Sequence, residues 1–73
     1  MDFKTRFQVE IQKNGPVCIV YKELDSKGPA HARTFVMSLQ VDGKKYGRGQ
    51  GRTKKVAEQQ AAHEALETIS KDS

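Results

Sequence analysis

Six of the thirteen Lys and Arg residues of this 73-residue chain fall between Lys44 and Lys55. They alternate with Gly47, Gly49 and Gly51, and no acidic side chain interrupts them. The chain carries +4 overall, yet outside this run 7 basic residues face 9 acidic ones, so the basicity is local. A local cationic patch on a small domain suits a polyanionic partner. The end of the run carries the most specific chemistry. Arg52 can donate two parallel hydrogen bonds to one anion, whereas Lys54 and Lys55 act as mobile point charges. Thr53 precedes a helical pattern, and the first amides of a helix meet phosphate oxygens readily. Lysines in a first turn oppose the helix macrodipole, and a broken local rule of this kind marks a functional site. Gln8 and Gln12, four residues apart, share one helix face from which they can hydrogen-bond sugar hydroxyls or base edges. A solvated face is the bland reading of the same pair.

Catalytic chemistry finds little support. His31 and His63 have no Ser, Cys or carboxylate constellation beside them in the sequence. No closely spaced carboxylate pair suggests a two-metal site. Cys18, His31 and His63 are too few and too scattered for zinc. The glycines of the basic run lack the lysine spacing of a nucleotide-binding loop. His63 reads as a surface or boundary residue of the last helix. The expectation is a chain that is no enzyme by itself, with no cofactor, no metal and no small-molecule substrate.

Five elements must position these residues. Asp2–Asn14 reads as a helix with Asp2 as its cap and Phe3, Phe7 and Ile11 along one face. Asn14-Gly15-Pro16 ends it. Val17–Leu24 is rich in β-branched and aromatic residues and reads as a strand. Asp25–His31 reads as a loop around Gly28-Pro29. Thr34–Asp42 alternates with period two, Phe35, Met37, Leu39 and Val41 forming the buried face and Val36 the exception. Asp42-Gly43 predicts a type I′ hairpin turn into a third strand, Lys44–Gln50. The glycines of that strand imply an edge or a closely approached backbone. Thr53 caps the last helix, where Ala57, Ala61 and Ala65 stack at four-residue intervals. The predicted fold is α+β in the order α-β-β-β-α, an antiparallel three-stranded sheet with both helices on one face. One domain over residues 1–70 and a frayed tail at 71–73 complete the organisation.

With one cysteine no internal disulfide is possible, so the expected setting is reducing, intracellular and cytoplasmic. Cys18 sits in an apolar run and is expected to be a small buried hydrophobe. Neither a signal peptide nor the ~20 apolar residues of a membrane span can be found.

The chain resembles a double-stranded RNA-binding domain over nearly its whole length. The resemblance rests on Gly28-Pro29-Ala30-His31, on Phe35 opening a period-two strand, and on Gly49-x-Gly51-x-Thr53-Lys54-Lys55-x-Ala57-Glu58 followed by Ala61-Ala62 and Ala65-Leu66. With Asp2-x-Lys4-Thr5-x-Phe7-Gln8 at the start, it is most similar to the C-terminal domain of bacterial ribonuclease III. The resemblance implies sequence-tolerant binding of double-stranded RNA. Gln8 and Gln12, with Thr5, would touch sugars and base edges in one minor groove. Pro29, Ala30 and His31 would enter the next, and Arg52, Thr53, Lys54 and Lys55 would bridge the phosphates between, over roughly 16 base pairs. It also implies a parent endoribonuclease that uses magnesium and dimerises through a nuclease domain lying elsewhere. A stand-alone or regulatory RNA binder and a protein-interaction domain of the same fold are the alternatives. Two positions depart from the pattern: Val9 stands where ribonuclease III helices carry Glu, and Glu58 where many animal domains carry a third lysine.

Overall fold

Asp2 starts the first helix by turning its carboxylate back onto the Thr5 amide, which donates to Oδ1 at 2.8 Å. The computed structural model describes residues 2–71. Helix α1 (Phe3–Ile11) runs from that cap and ends at Gln12, two residues before the expected stop. Strand β1 (Ile19–Lys27) is followed by a short 3₁₀ turn, Ala30–Ala32. Strands β2 (Thr34–Val41) and β3 (Lys44–Gly51) form the hairpin, and helix α2 (Lys54–Lys71) closes the chain. The sheet is antiparallel in the order β1-β2-β3. The predicted α-β-β-β-α order therefore holds. Of the expected tail, Lys71 ends α2, and residues 72 and 73 lie outside the described residues.

The hairpin turn has φ of 51° at Asp42 and 85° at Gly43, the positive pair that a type I′ turn demands. The core is assembled from Phe7 of α1, Leu39 and Val41 of β2, and Ala61, Ala62 and Ala65 of α2. Tyr46 joins it because one extra residue is inserted in β3: Leu39 pairs with Gly47 but Gln40 with Lys45. That bulge turns Tyr46 inward, where its ring meets Phe7 edge-on at 6.2 Å. The three glycines of β3 alternate with outward residues and all face α2. A Cβ at Gly47 would stand 2.7 Å from the Ala65 amide nitrogen, and one at Gly49 2.5 Å from the Ala57 carbonyl. The helix thus lies directly on the backbone of the strand, so the close approach reading of these glycines is correct. It is also an edge strand, and α2 satisfies two of its outward backbone groups. Glu64 Oε2 accepts from the Arg48 amide at 3.3 Å, and Thr68 Oγ1 donates to the Tyr46 carbonyl at 3.0 Å.

Three expectations need correction. Strand β1 does not stop at Leu24 but continues to Lys27, through residues read as loop. Leu24 is an extra residue between Glu23, which pairs with Met37, and Asp25, which pairs with Val36. The bulge lets polar residues keep pairing with β2 after the apolar pattern has ended. Cys18 is exposed, not buried. Val17, Ile19 and Tyr21 turn inward, so Cys18 and Val20 alternate outward onto the uncovered face. Finally, β2 is buried on both faces from Val36 to Leu39. As the central strand it has Lys22 and Arg48 on either side of Ser38, and long stems of that kind cover the strand between them. Among the described residues, no helix is long and apolar enough to cross a membrane.

Candidate nucleic-acid interface

The residues singled out from the sequence occupy three exposed regions. On α1, Gln8 and Gln12 line one depression of about 310 Å³ together with Lys4, Val17, Ile19 and Tyr21. Thr5 is exposed on the same helix one turn earlier, its amide engaged by Asp2. Lys4 completes the face at four-residue spacing, Lys4-Gln8-Gln12. That spacing was legible in the sequence, although Lys4 was not singled out.

The second region is the turn after β1. Pro29 precedes the 3₁₀ turn and its carbonyl accepts from the Ala32 amide at 2.9 Å. Gly28 has φ of 89°, and a Cβ there would lie 2.8 Å from the Ala32 carbonyl, so only glycine allows the tight turn. Ala30 and His31 share a hollow of about 410 Å³ with Ala32, Arg33, Phe35 and Arg52. The fold thus brings the His31 turn beside the start of the cationic segment, which lies far along the chain.

The third region is the start of α2. Thr53 Oγ1 accepts from the Val56 amide at 3.1 Å, and its carbonyl accepts from Ala57 at 3.0 Å. Thr53 is therefore the expected cap. Its oxygen is engaged by the helix, which leaves the Lys54 and Lys55 amides without intrahelical acceptors. Arg52, Lys54 and Lys55 are exposed. Lys54 Nζ sits 3.2 Å from Glu23 Oε1 and 5.9 Å from the centre of the Phe35 ring. Lys55 has no ion-pair partner among the described residues.

What locks the first region to the third is a set of contacts between the two helices. Lys4 Nζ meets Glu58 Oε1 at 2.6 Å and stands 4.6 Å from the centre of the Tyr21 ring. The Phe3 amide donates to Gln59 Oε1 at 2.9 Å, and the Phe3 ring lies 4.5 Å from that of His63. Glu58, the departure from the animal pattern, is thus the residue that ties α1 to the first turns of α2. His63 is exposed, as expected of a boundary residue. The Asp2 carboxyl is held below its ordinary value, chiefly by the Thr5 amide.

Burial, and then the Glu58 and Asp2 carboxylates, raise the Tyr21 phenol from 10.0 to about 12. The folded chain therefore holds this proton more tightly than the unfolded chain. The resulting stability is fully present below pH 10 and disappears as pH rises through 12. Thermal melts of the wild type and Tyr21→Phe across this window are expected to converge or cross against the wild type. A constant difference between the two would contradict the linkage.

No group of three or more His, Cys, Asp or Glu among the described residues could hold a metal ion. The polar side chains that line the three regions are mostly cations, amides and a histidine.

Comparison with known proteins supplies the family. Residues 3–69 match the family model of the double-stranded RNA binding motif. The chain is 52% identical over 66 residues to Ribonuclease 3 of Streptococcus gordonii, covering 90% of the chain and 28% of that protein. It is 49% identical over 69 residues to Ribonuclease 3 of Streptococcus thermophilus, covering 94% and 30% respectively. The chain thus spans less than a third of the length of these relatives. With a match from the first turn of α1 to the last turns of α2, the chain belongs to the family of double-stranded RNA binding motifs.

Proposed function

We propose that the chain binds A-form RNA duplexes across two minor grooves and the phosphates of the major groove between them. Gln8 and Gln12, with Thr5, contact 2′-hydroxyls and base edges in one minor groove. Pro29, Ala30 and His31 enter the next, and Arg52, Thr53, Lys54 and Lys55 hold the intervening phosphates. The shallow minor groove of A-form RNA displays 2′-hydroxyls, whereas its deep major groove excludes side chains, so contacts of these two kinds suit it. The observation that carries the reading is the hollow shared by His31 and Arg52, beside the first turn of α2. A groove contact and a phosphate contact thereby become one continuous surface. The Lys4–Glu58 pair supports it further, since it holds the α1 face at a set position from Lys54 and Lys55.

The identity to the two streptococcal Ribonuclease 3 proteins favours a second, wider reading. The chain would be the substrate-binding part of a double-strand-specific endoribonuclease. Its magnesium-dependent chemistry and its dimerisation would belong to the remainder of such a protein, and this chain would have no catalytic residue.

Titration with RNA and DNA duplexes of equal length and sequence tests the binding reading. Binding of RNA over DNA by at least an order of magnitude is expected, because only RNA offers the 2′-hydroxyl. Equal affinities would reject it. Absence of binding to either would favour a protein-interaction role for the fold.

A further inference from the structure

Lys54 already has an anion in the free chain. Its ammonium rests 3.2 Å from Glu23 Oε1, with the Phe35 ring on its flank. Glu23 reaches it from the last regular position of β1 before the Leu24 bulge, paired with Met37 on the face that the helices cover. The two side chains are 61% and 42% exposed, so the pair is screened by water and opens readily. Lys55, next in the chain, lacks such a partner among the described residues.

To an ammonium, a carboxylate oxygen and a phosphate oxygen are the same kind of charged acceptor. Any phosphate that takes Lys54 competes with Glu23 for the ammonium, and the carboxylate then faces the nucleic-acid backbone as a like charge. We propose that Glu23 is a positioning residue for the phosphate clamp, an internal surrogate of the RNA phosphate that orients Lys54 and limits its affinity for polyanions. A partner that offers phosphates alone has to work against this pair. A duplex that also fills the α1 face and the His31 turn has other contacts with which to offset it. Glu23 would thus shift the balance away from indiscriminate polyanion binding without touching a base or a sugar.

The inference rests on the RNA-binding reading, and one set of titrations separates the two. The unaltered chain, Glu23→Gln, Lys54→Ala and the double variant are each titrated with an RNA duplex longer than roughly 16 base pairs at several salt concentrations. Glu23→Gln is expected to tighten binding about two- to fivefold at moderate salt. It should also steepen the dependence of log K on log salt by up to about one unit, because Lys54 then neutralises a phosphate fully and displaces the cation condensed on it. In the Lys54→Ala background the tightening should fall to less than half. A merely structural role for Glu23 would leave the salt slope where it was. Unchanged or weaker binding by Glu23→Gln overturns the inference. So does equal tightening in the two backgrounds, since Glu23 would then be only a remote negative charge. Failure of the unaltered chain to bind RNA removes both readings together, whereas normal binding with an inert Glu23→Gln removes this one alone.

Discussion

Replacing Gly49 by alanine is expected to destabilise the domain by about 3 kcal/mol, at the upper end of the usual cost of overpacking. The melting temperature should drop by about 10–20 °C for a chain of this size. The sign makes this prediction sharp. In an ordinary strand, exchanging glycine for alanine is favourable, since glycine loses more freedom on folding and has no side chain to pack. Here the new Cβ would point into the backbone of α2, 2.5 Å from the Ala57 carbonyl and 2.6 Å from the Gln60 Cβ. A side chain could rotate away, but a carbonyl in a helix can move only if the helix lifts. The same helix carries Lys54 and Lys55 and, through Glu58, the position of α1. Lifting it would loosen the whole candidate interface. A domain of this length is stabilised by only about 4–11 kcal/mol, so the loss is a large share. Chemical denaturation of Gly49→Ala, with the exposed neighbour Gln50→Ala as control, checks it. The control should stay within about 0.5 kcal/mol of the wild type. A Gly49→Ala variant as stable as the wild type would mean that helix and strand are not in contact along their backbones.

The second large effect separates binding from stability. Lys54→Ala with Lys55→Ala is expected to weaken RNA binding about a hundredfold. Two charge-assisted hydrogen bonds at about 1.5 kcal/mol each correspond to that ratio. The slope of log K against log salt should become shallower by about one to two units, a full unit for Lys55 and less for Lys54, which Glu23 already engages. The fold should not suffer, because both side chains are exposed. Removing cations from the first turn relieves their opposition to the helix dipole, worth a few tenths of a kcal/mol. The double variant should therefore melt at or slightly above the wild-type temperature while binding poorly. Titrations at three or more salt concentrations, paired with thermal melts, measure both. Affinity within threefold of the wild type would take Lys54 and Lys55 out of the interface.

Whatever depended on neighbours in the chain was legible from the residues. The Asp2 cap, the Asp42-Gly43 turn and the Thr53 cap each obey local backbone rules, and the structure has all three. The Ala57-Ala61-Ala65 stripe and the glycines of β3 are two halves of one close contact, and both were visible as patterns of small residues. Bulges are another matter, because an extra residue is defined by the partner strand and not by its own sequence. For that reason the end of β1 at Lys27 and the inward turn of Tyr46 could not be read. Cys18 was misread because an apolar run on an edge strand still alternates, and one of its faces is left uncovered.

The interface divides along the same line. The cations, glutamines and histidine proposed for it stand out by type and spacing, since recognition chemistry belongs to single side chains and short segments. Their mutual arrangement does not, because it comes from pairs remote in sequence. Lys4 with Glu58 holds one helix to the other, Arg52 meets the His31 turn in a single hollow, and Glu23 occupies Lys54. The sequence by itself determined the elements, their order and the chemical character of a surface suited to phosphates and sugar hydroxyls. Only the tertiary structure decided which of its cations are free and which are already engaged. Charge pairing is a matter of a few ångströms in space, and chain separation says nothing about those.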